Sequence, residues 1–250
     1  MGNTAEAISM IQEAKQEGLN TLILSKLDLS TEEFKSLIPQ ISEISGLKEL
    51  NISHNSIDEV PEEINALVGI EKLDIRSNEI SNLKEGLWEL TNLTHLYLGE
   101  NSIRSIQDGI GNLVNLQNFE LRENSLTALP AAIGSLVNLT NLDIGVNEIR
   151  ILPDEITNLT NLTDFDLNEN SVAQSPEDIN GMQQLKILNL EGNDLDTLPE
   201  CIGQFAKMET PINTTRKRHR SPSAGEGGKG KAKSDSQDQR TTKKSSMSRF

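Results

Sequence analysis

The residues able to do chemistry are few in this chain of 250. Its three histidines, His54, His95 and His219, stand in no metal-ligand spacing such as H-E-x-x-H, and no G-x-S-x-G elbow is present. Cys201, the only cysteine, follows Pro199-Glu200 at the start of a short helical segment, where a helix N-terminus could lower its thiol pKa. No histidine lies near it in sequence to act as a base. Gly225 to Lys231 reads G-E-G-G-K-G-K and satisfies G-x-x-x-x-G-K, but it continues with Ala232. A phosphate-binding loop needs Ser or Thr there, a strand before and a helix after. These observations predict a protein without catalysis, cofactor or metal.

The elements around these residues are set by a repeat. Asn55, Asn78, Asn101, Asn124, Asn147, Asn170 and Asn193 follow one another at intervals of 23 residues. Each sits in [LI]-x-x-[LF]-x-[LI]-x-x-N-x-[LIV], and four of the seven copies continue into [LV]-P-x-x-I-x-x-[LF]. The pattern matches the leucine-rich repeat signature, in which one strand and one short helical segment build each coil of a horseshoe. The expected fold is an α/β solenoid with a parallel sheet on its concave face. The leucines around the central position of each strand point inward, because alternate strand residues face opposite sides. The asparagine amide both donates and accepts, so it can satisfy backbone groups of its own and neighbouring coils. Leu-Pro pairs (Val60-Pro61 in the first coil, then Leu129-Pro130, Leu152-Pro153 and Leu198-Pro199) start the convex turn with a fixed φ. Lys84 and Gln107 replace proline in two coils, and Ser175 replaces the leucine before Pro176 in a third.

The predicted organisation has four parts. Residues 1–18 form a capping helix with Thr4 as N-cap, Gly18 as its end, and Ile8, Ile11 and Ala14 on one face. Residues 19–46 form a degenerate first repeat, with Leu27 in the asparagine position and a longer helical segment that Pro39 should kink or divide. Residues 47–207 hold seven regular repeats. Residues 208–250 form a disordered basic tail. From Thr214 onward 11 Lys/Arg face 3 Asp/Glu, whereas the whole chain carries a net charge of −15. Opposite charge in two segments implies two roles.

The candidate binding surface is the set of outward strand positions. The central series reads Asn51, Asp74, Tyr97, Glu120, Asp143, Asp166 and Asn189; two residues later come Arg76, Gly99, Arg122, Gly145 and Asn168; two residues earlier come His95 and Asp164. Tyr97, the only tyrosine, lies beside His95, with Arg76 and Arg122 flanking Gly99. Tyrosine and arginine at the middle of a concavity are usual hot-spot residues. Asp74, Arg76, His95, Tyr97, Glu120, Arg122, Asp143, Asp164 and Asp166 are therefore the expected partner-binding residues. The carboxylates suit a basic partner, or form a solvated acidic face. Trp88, the only tryptophan, either packs between coils or marks a second surface.

The tail adds short signals. Arg216, Lys217, Arg218 and Arg220 form a basic cluster suited to nuclear import, nucleic acid or an acidic membrane. Ser221 before Pro222 is a candidate phosphosite whose phosphate would offset that charge. No apolar run reaches the ~18 residues of a membrane span. With one cysteine there is no intrachain disulfide, and the expected location is cytoplasmic, with a nuclear fraction if the tail is read.

Residues 139–161, LTNLDIGVNEIRILPDEITNLTN, resemble the repeats of intracellular leucine-rich repeat proteins linked to small GTPases, of the Ras-suppressor, Shoc/Sur and Scribble-like types. The resemblance implies a non-catalytic adaptor in signal transduction whose partner is a protein such as a small GTPase or a phosphatase complex; the chain is expected to be a monomer. The alternative reading is a nuclear or nucleic-acid-associated protein recruited by its basic tail.

Overall fold

The computed structural model describes residues 3–173 and 181–195. Within them the chain winds into coils that each contribute one strand to an eight-stranded parallel sheet in chain order: β1 Thr21–Ile23, β2 Glu49–Asn51, β3 Lys72–Asp74, β4 His95–Tyr97, β5 Asn118–Glu120, β6 Asn141–Asp143, β7 Asp164–Asp166 and β8 Ile187–Asn189. The register follows the repeat, Glu49 opposite Lys72, Lys72 opposite His95, and so on to Asp164 opposite Ile187. The first step, Thr21 opposite Glu49, carries the larger interval expected of the degenerate coil. The middle residue of every strand (Leu22, Leu50, Leu73, Leu96, Phe119, Leu142, Phe165, Leu188) is buried.

Five turns of 3₁₀ helix face away from the sheet: Glu62–Ala66, Glu85–Glu89, Asp108–Asn112, Ala131–Ser135 and Asp154–Asn158. Each is entered through an extended residue. Pro61, Pro130 and Pro153 hold φ between −67° and −72°, and Lys84 and Gln107 take the same route at −87° and −79°. Proline is favoured there and not required.

The asparagine ladder works across coils. Asn124 Oδ1 accepts from Ile103 N at 2.9 Å, while Nδ2 donates to Leu98 O and Leu121 O, both at 3.0 Å. Asn147 repeats this 23 residues on, with Leu126 N as donor and Leu121 O and Ile144 O as acceptors. Each amide thus ties three backbone segments in two coils, which a leucine or alanine could not do. To bring the amide inward, the residue before it turns to positive φ. His54, Ser77, Glu100, Glu123, Val146 and Glu169 do so at 51–56°, and Gly192 at 71°.

A second ladder was not anticipated. Asn92, Asn115, Asn138 and Asn161 each donate Nδ2 to the carbonyl of Val68, Thr91, Val114 and Val137 one coil back, at 2.8–2.9 Å. These asparagines are exposed and precede the strands.

The N-terminal cap differs in detail from expectation. Helix α1, Thr4–Glu17, buries Ala7, Ile11 and Ala14, while Ile8 packs only partly. Its N-cap is Asn3, and Thr4 lies inside the helix. Thr4 Oγ1 instead donates to Glu33 Oε1 of the next helix at 3.2 Å, and Asn3 N donates to Leu27 O at 2.7 Å. The cap position is drawn one residue earlier by that bond to the first coil. Gly18, at φ 63°, ends the helix as expected.

Helix α2, Thr31–Ser42, opens on a capping box between Ser30 and Glu33. Pro39 does not divide it. The residue is exposed, as is Lys35, whose carbonyl loses the i+4 donor, so water can satisfy that carbonyl. Phe34, Leu37, Ile38 and Ile41 keep the buried face continuous through Ser42. Trp88 is buried, 1% exposed, and belongs to the core.

Candidate functional site on the sheet face

All nine residues expected to bind a partner stand on one face of the sheet, at two registers of β3 to β7 and the position two residues beyond. Five of them, Asp74, Arg76, His95, Tyr97 and Glu120, form one connected cluster. Arg76 donates Nε to Asp74 Oδ1 at 3.1 Å and Nη2 to Asp74 Oδ2 at 2.8 Å, a bidentate pair that fixes the guanidinium plane. Nη1 reaches Glu120 Oε2 at 3.4 Å, two strands away. The Tyr97 ring lies between, with Arg76 Cζ 5.0 Å and Lys72 Nζ 5.9 Å from its centroid. Both distances suit cation–π attraction.

Asp74 is buried, 5% exposed, so its role is to position Arg76 and not to meet a partner. The paired carboxylate in turn holds the Arg76 guanidinium above its ordinary pKa. Burial pushes the Tyr97 phenol up, keeping it neutral. His95 meets Tyr97 in a tilted ring contact, with centroids 6.1 Å apart and planes at 45°. Thr94 Oγ1 gives its one proton to Glu71 O at 2.9 Å, so it accepts from His95 Nδ1, also at 2.9 Å. That assigns the proton of neutral His95 to Nδ1 and leaves Nε2 as an acceptor. Burial, aided by Lys72, holds the His95 pKa below its usual value.

Two glycines make the long reaches possible. A β-carbon on Gly99 would lie 2.9 Å from Glu120 Oε1. One on Gly145 would lie 2.2 Å from Asn168 Oδ1 and 2.8 Å from Arg122 Nη1. Through the Gly145 gap Arg122 donates to Asn168 at 2.8 Å, two coils on. The alternation Arg76, Gly99, Arg122, Gly145, Asn168 is thus a set of arms and slots. Its sequence signal was visible as two glycines at 46-residue spacing among outward positions.

The acidic series has a structural task that sequence reading missed. Asp143 Oδ1 accepts from Gly145 N at 2.9 Å, and Asp166 Oδ1 from Asn168 N at 2.8 Å. Asn51 and Asn189 do the same for Ser53 N and Glu191 N at the same register. Asp and Asn recur there because a short side chain can accept from the amide two residues on. Asp164 differs, accepting only from Thr163 Oγ1 at 2.6 Å among the described contacts. Burial pushes the Glu120 and Asp143 carboxyls above the usual range, and neighbouring carboxylates add to the rise.

At the β1–β4 end the face encloses a recess of about 410 Å³ lined by Ile23, Glu49, Lys72, Arg76 and Tyr97, with Leu50 at its floor. Arg216, Lys217, Arg218, Arg220, Ser221 and Cys201 lie outside the described residues.

Two family models match this sequence, one described as Leucine-rich repeat region over residues 11–124 and one as Leucine Rich Repeat over residues 184–205. With the sheet and ladder above, they define the chain as a leucine-rich repeat solenoid. Among solved structures it is similar to the ectodomain of the Arabidopsis thaliana receptor kinase GASSHO1/SCHENGEN3, in complex with CASPARIAN STRIP INTEGRITY FACTOR 2 (27% identity, TM-score 0.67, 80% of this chain and 24% of that one). It is also similar to the Arabidopsis receptor kinase HAESA in complex with the peptide hormone IDA and the co-receptor SERK1 (25%, 0.62, 70% and 31%). A third is the plant peptide hormone receptor RGFR1 in complex with RGF2 (25%, 0.55, 71% and 33%). This chain spans a quarter to a third of these receptors' length. No curated protein sequence matches it. No helix among the described residues is long and apolar enough to cross a membrane.

Proposed function

We propose that this chain is a non-catalytic interaction module whose sheet face binds a protein or peptide. The observation that carries the reading is the Tyr97 ring, which lines the recess with Arg76 and Lys72 within cation–π distance of it. A rigid aromatic ring in a fixed polar frame loses little entropy on binding, which is the economy of a hot spot. The similar receptors whose structures hold peptide ligands support the same use of the fold.

The finer reading is a cytoplasmic adaptor in signal transduction that engages a small GTPase or a phosphatase complex. It rests on the repeat resemblance, and the lone cysteine supports an intracellular site. Affinity capture with the full chain and with Tyr97→Ala, each first shown by circular dichroism to be folded, tests the binding face. Loss of captured proteins with the variant is expected; an unchanged set would overturn it. Pull-down of purified small GTPases in both nucleotide states tests the finer reading separately.

A further inference from the structure

The sheet face has a direction. At the β1–β4 end, the recess exposes apolar surface: Ile23 is 52% exposed, and the Tyr97 ring stands beside it. The cations there are already matched. Arg76 is held by Asp74 and Glu120, and Lys72 lies 3.6 Å from Glu49. Along the same face, Asp143 stands opposite Asp166 in register, with Asp164 two residues before it. Among the described residues no lysine or arginine forms an ion pair with these three. Carboxylates on adjacent strands, ~4.8 Å apart, repel each other. Arg122 lies within electrostatic reach of Asp143, but it makes its contacts with Asn168 and Glu123. The apolar side is charge-balanced, and the charged side keeps an excess of carboxylates.

We propose that the occupant of this face is an extended basic segment of another protein, lying across the strands. It seats an apolar side chain against Ile23 and Tyr97 and sets lysines or arginines over Asp143, Asp164 and Asp166. From Asp74 on β3, which lines the recess, to Asp166 on β7 is four strand spacings, about 19 Å. An extended chain covers that with about six residues. An acidic segment, or one with the two features adjacent, does not fit. The inference rests on the sheet-face reading above and adds the chemistry and polarity of the partner.

A displayed library of random 12-residue peptides, panned on the full chain, tests it. The key variant is Asp143→Asn/Asp164→Asn/Asp166→Asn. Asparagine keeps the side-chain acceptor for the amide two residues on, as Asn51 and Asn189 already show. A second triple variant, Glu62→Gln/Asp108→Asn/Glu155→Gln, changes net charge equally at exposed positions on the 3₁₀ turns. The expected peptides carry an apolar residue about six positions from paired Lys/Arg. They bind at least tenfold more weakly to the first variant and to Tyr97→Ala, and unchanged to the second. If the first variant does not fold, Asp164→Asn alone replaces it, with a loss of about threefold expected.

Peptides weakened equally by both triple variants would overturn the proposal, showing diffuse charge attraction. Peptides that need Tyr97 but ignore the three aspartates would overturn it too and leave the sheet-face reading standing. Peptides indifferent to Tyr97 and to the aspartates would overturn both.

Discussion

A β-carbon on Gly109 would stand 2.4 Å from Cδ1 of Trp88, so the buried indole depends on a glycine one coil away. The ring cannot retreat, because it is packed among core leucines and isoleucines and is 1% exposed. Gly109→Ala is expected to destabilise by about 1–3 kcal/mol through overpacking. Trp88 is the sole tryptophan, so its emission reports the event directly. A urea titration should show a lower midpoint and a red-shifted native spectrum. An unaltered midpoint would mean that the indole has room to move.

The two asparagine ladders differ in consequence. Asn147 is buried and serves Leu126 N, Leu121 O, Ile144 O and Gly145 O. Asn138 is exposed and makes one bond, to Val114 O. Asn147→Ala leaves buried backbone groups unpaired and should cost about 1–3 kcal/mol. Asn138→Ala leaves a carbonyl that water can reach and should cost about 0.5 kcal/mol. Equal losses in chemical denaturation would refute this ranking.

Val146 holds φ at 54°, a region in which a β-branched residue crowds its own carbonyl. Glycine occupies the same repeat position at Gly192. Val146→Asn should raise stability by about 1 kcal/mol, since asparagine tolerates this backbone and the valine is only half-buried. The midpoint of thermal unfolding measures it; a fall would show that valine's contacts outweigh its strain.

Asp143 gives a pH-dependent prediction. Its folded-state pKa lies above the ordinary 3.8, through burial first and Asp166 as a further cause. The folded chain therefore binds this proton more readily than the unfolded one. The resulting penalty is complete above the raised pKa and fades as pH falls toward 3.8. Asp143→Asn removes it while keeping the bond to Gly145 N. The variant should be more stable than the parent at pH 7, with the gain shrinking toward pH 4 in parallel urea titrations. A gain that grows on acidification would reverse the assigned sign.

The asparagine spacing placed seven of the eight strands of the sheet and their inward apolar residues before any coordinates; β1, in the degenerate coil, was read from Leu22 and Leu24. It did so because each coil touches only its neighbours, so a local pattern repeated at fixed interval fixes register as well as element type. The outward positions that share the candidate face were legible for the same reason. Details that hang on one contact were not. Asn3 takes the cap from Thr4 because of a bond to Leu27 O, and Pro39 is tolerated because its side of α2 is exposed.

What each outward side chain does was decided only in three dimensions. Sequence placed Arg76, Tyr97 and Glu120 on one face, yet Arg76 reaches Glu120 two strands away past Gly99, and Arg122 reaches Asn168 past Gly145. Whether a long side chain spans two coils depends on the room left by the residue between them, and a repeat pattern does not record that room. The aspartates looked like a free acidic row, but Asp143 and Asp166 first hold their own backbone. The periodic sequence determined the scaffold, because its coil-to-coil contacts recur identically. The tertiary structure decided the site, because there the contacts are specific to single pairs.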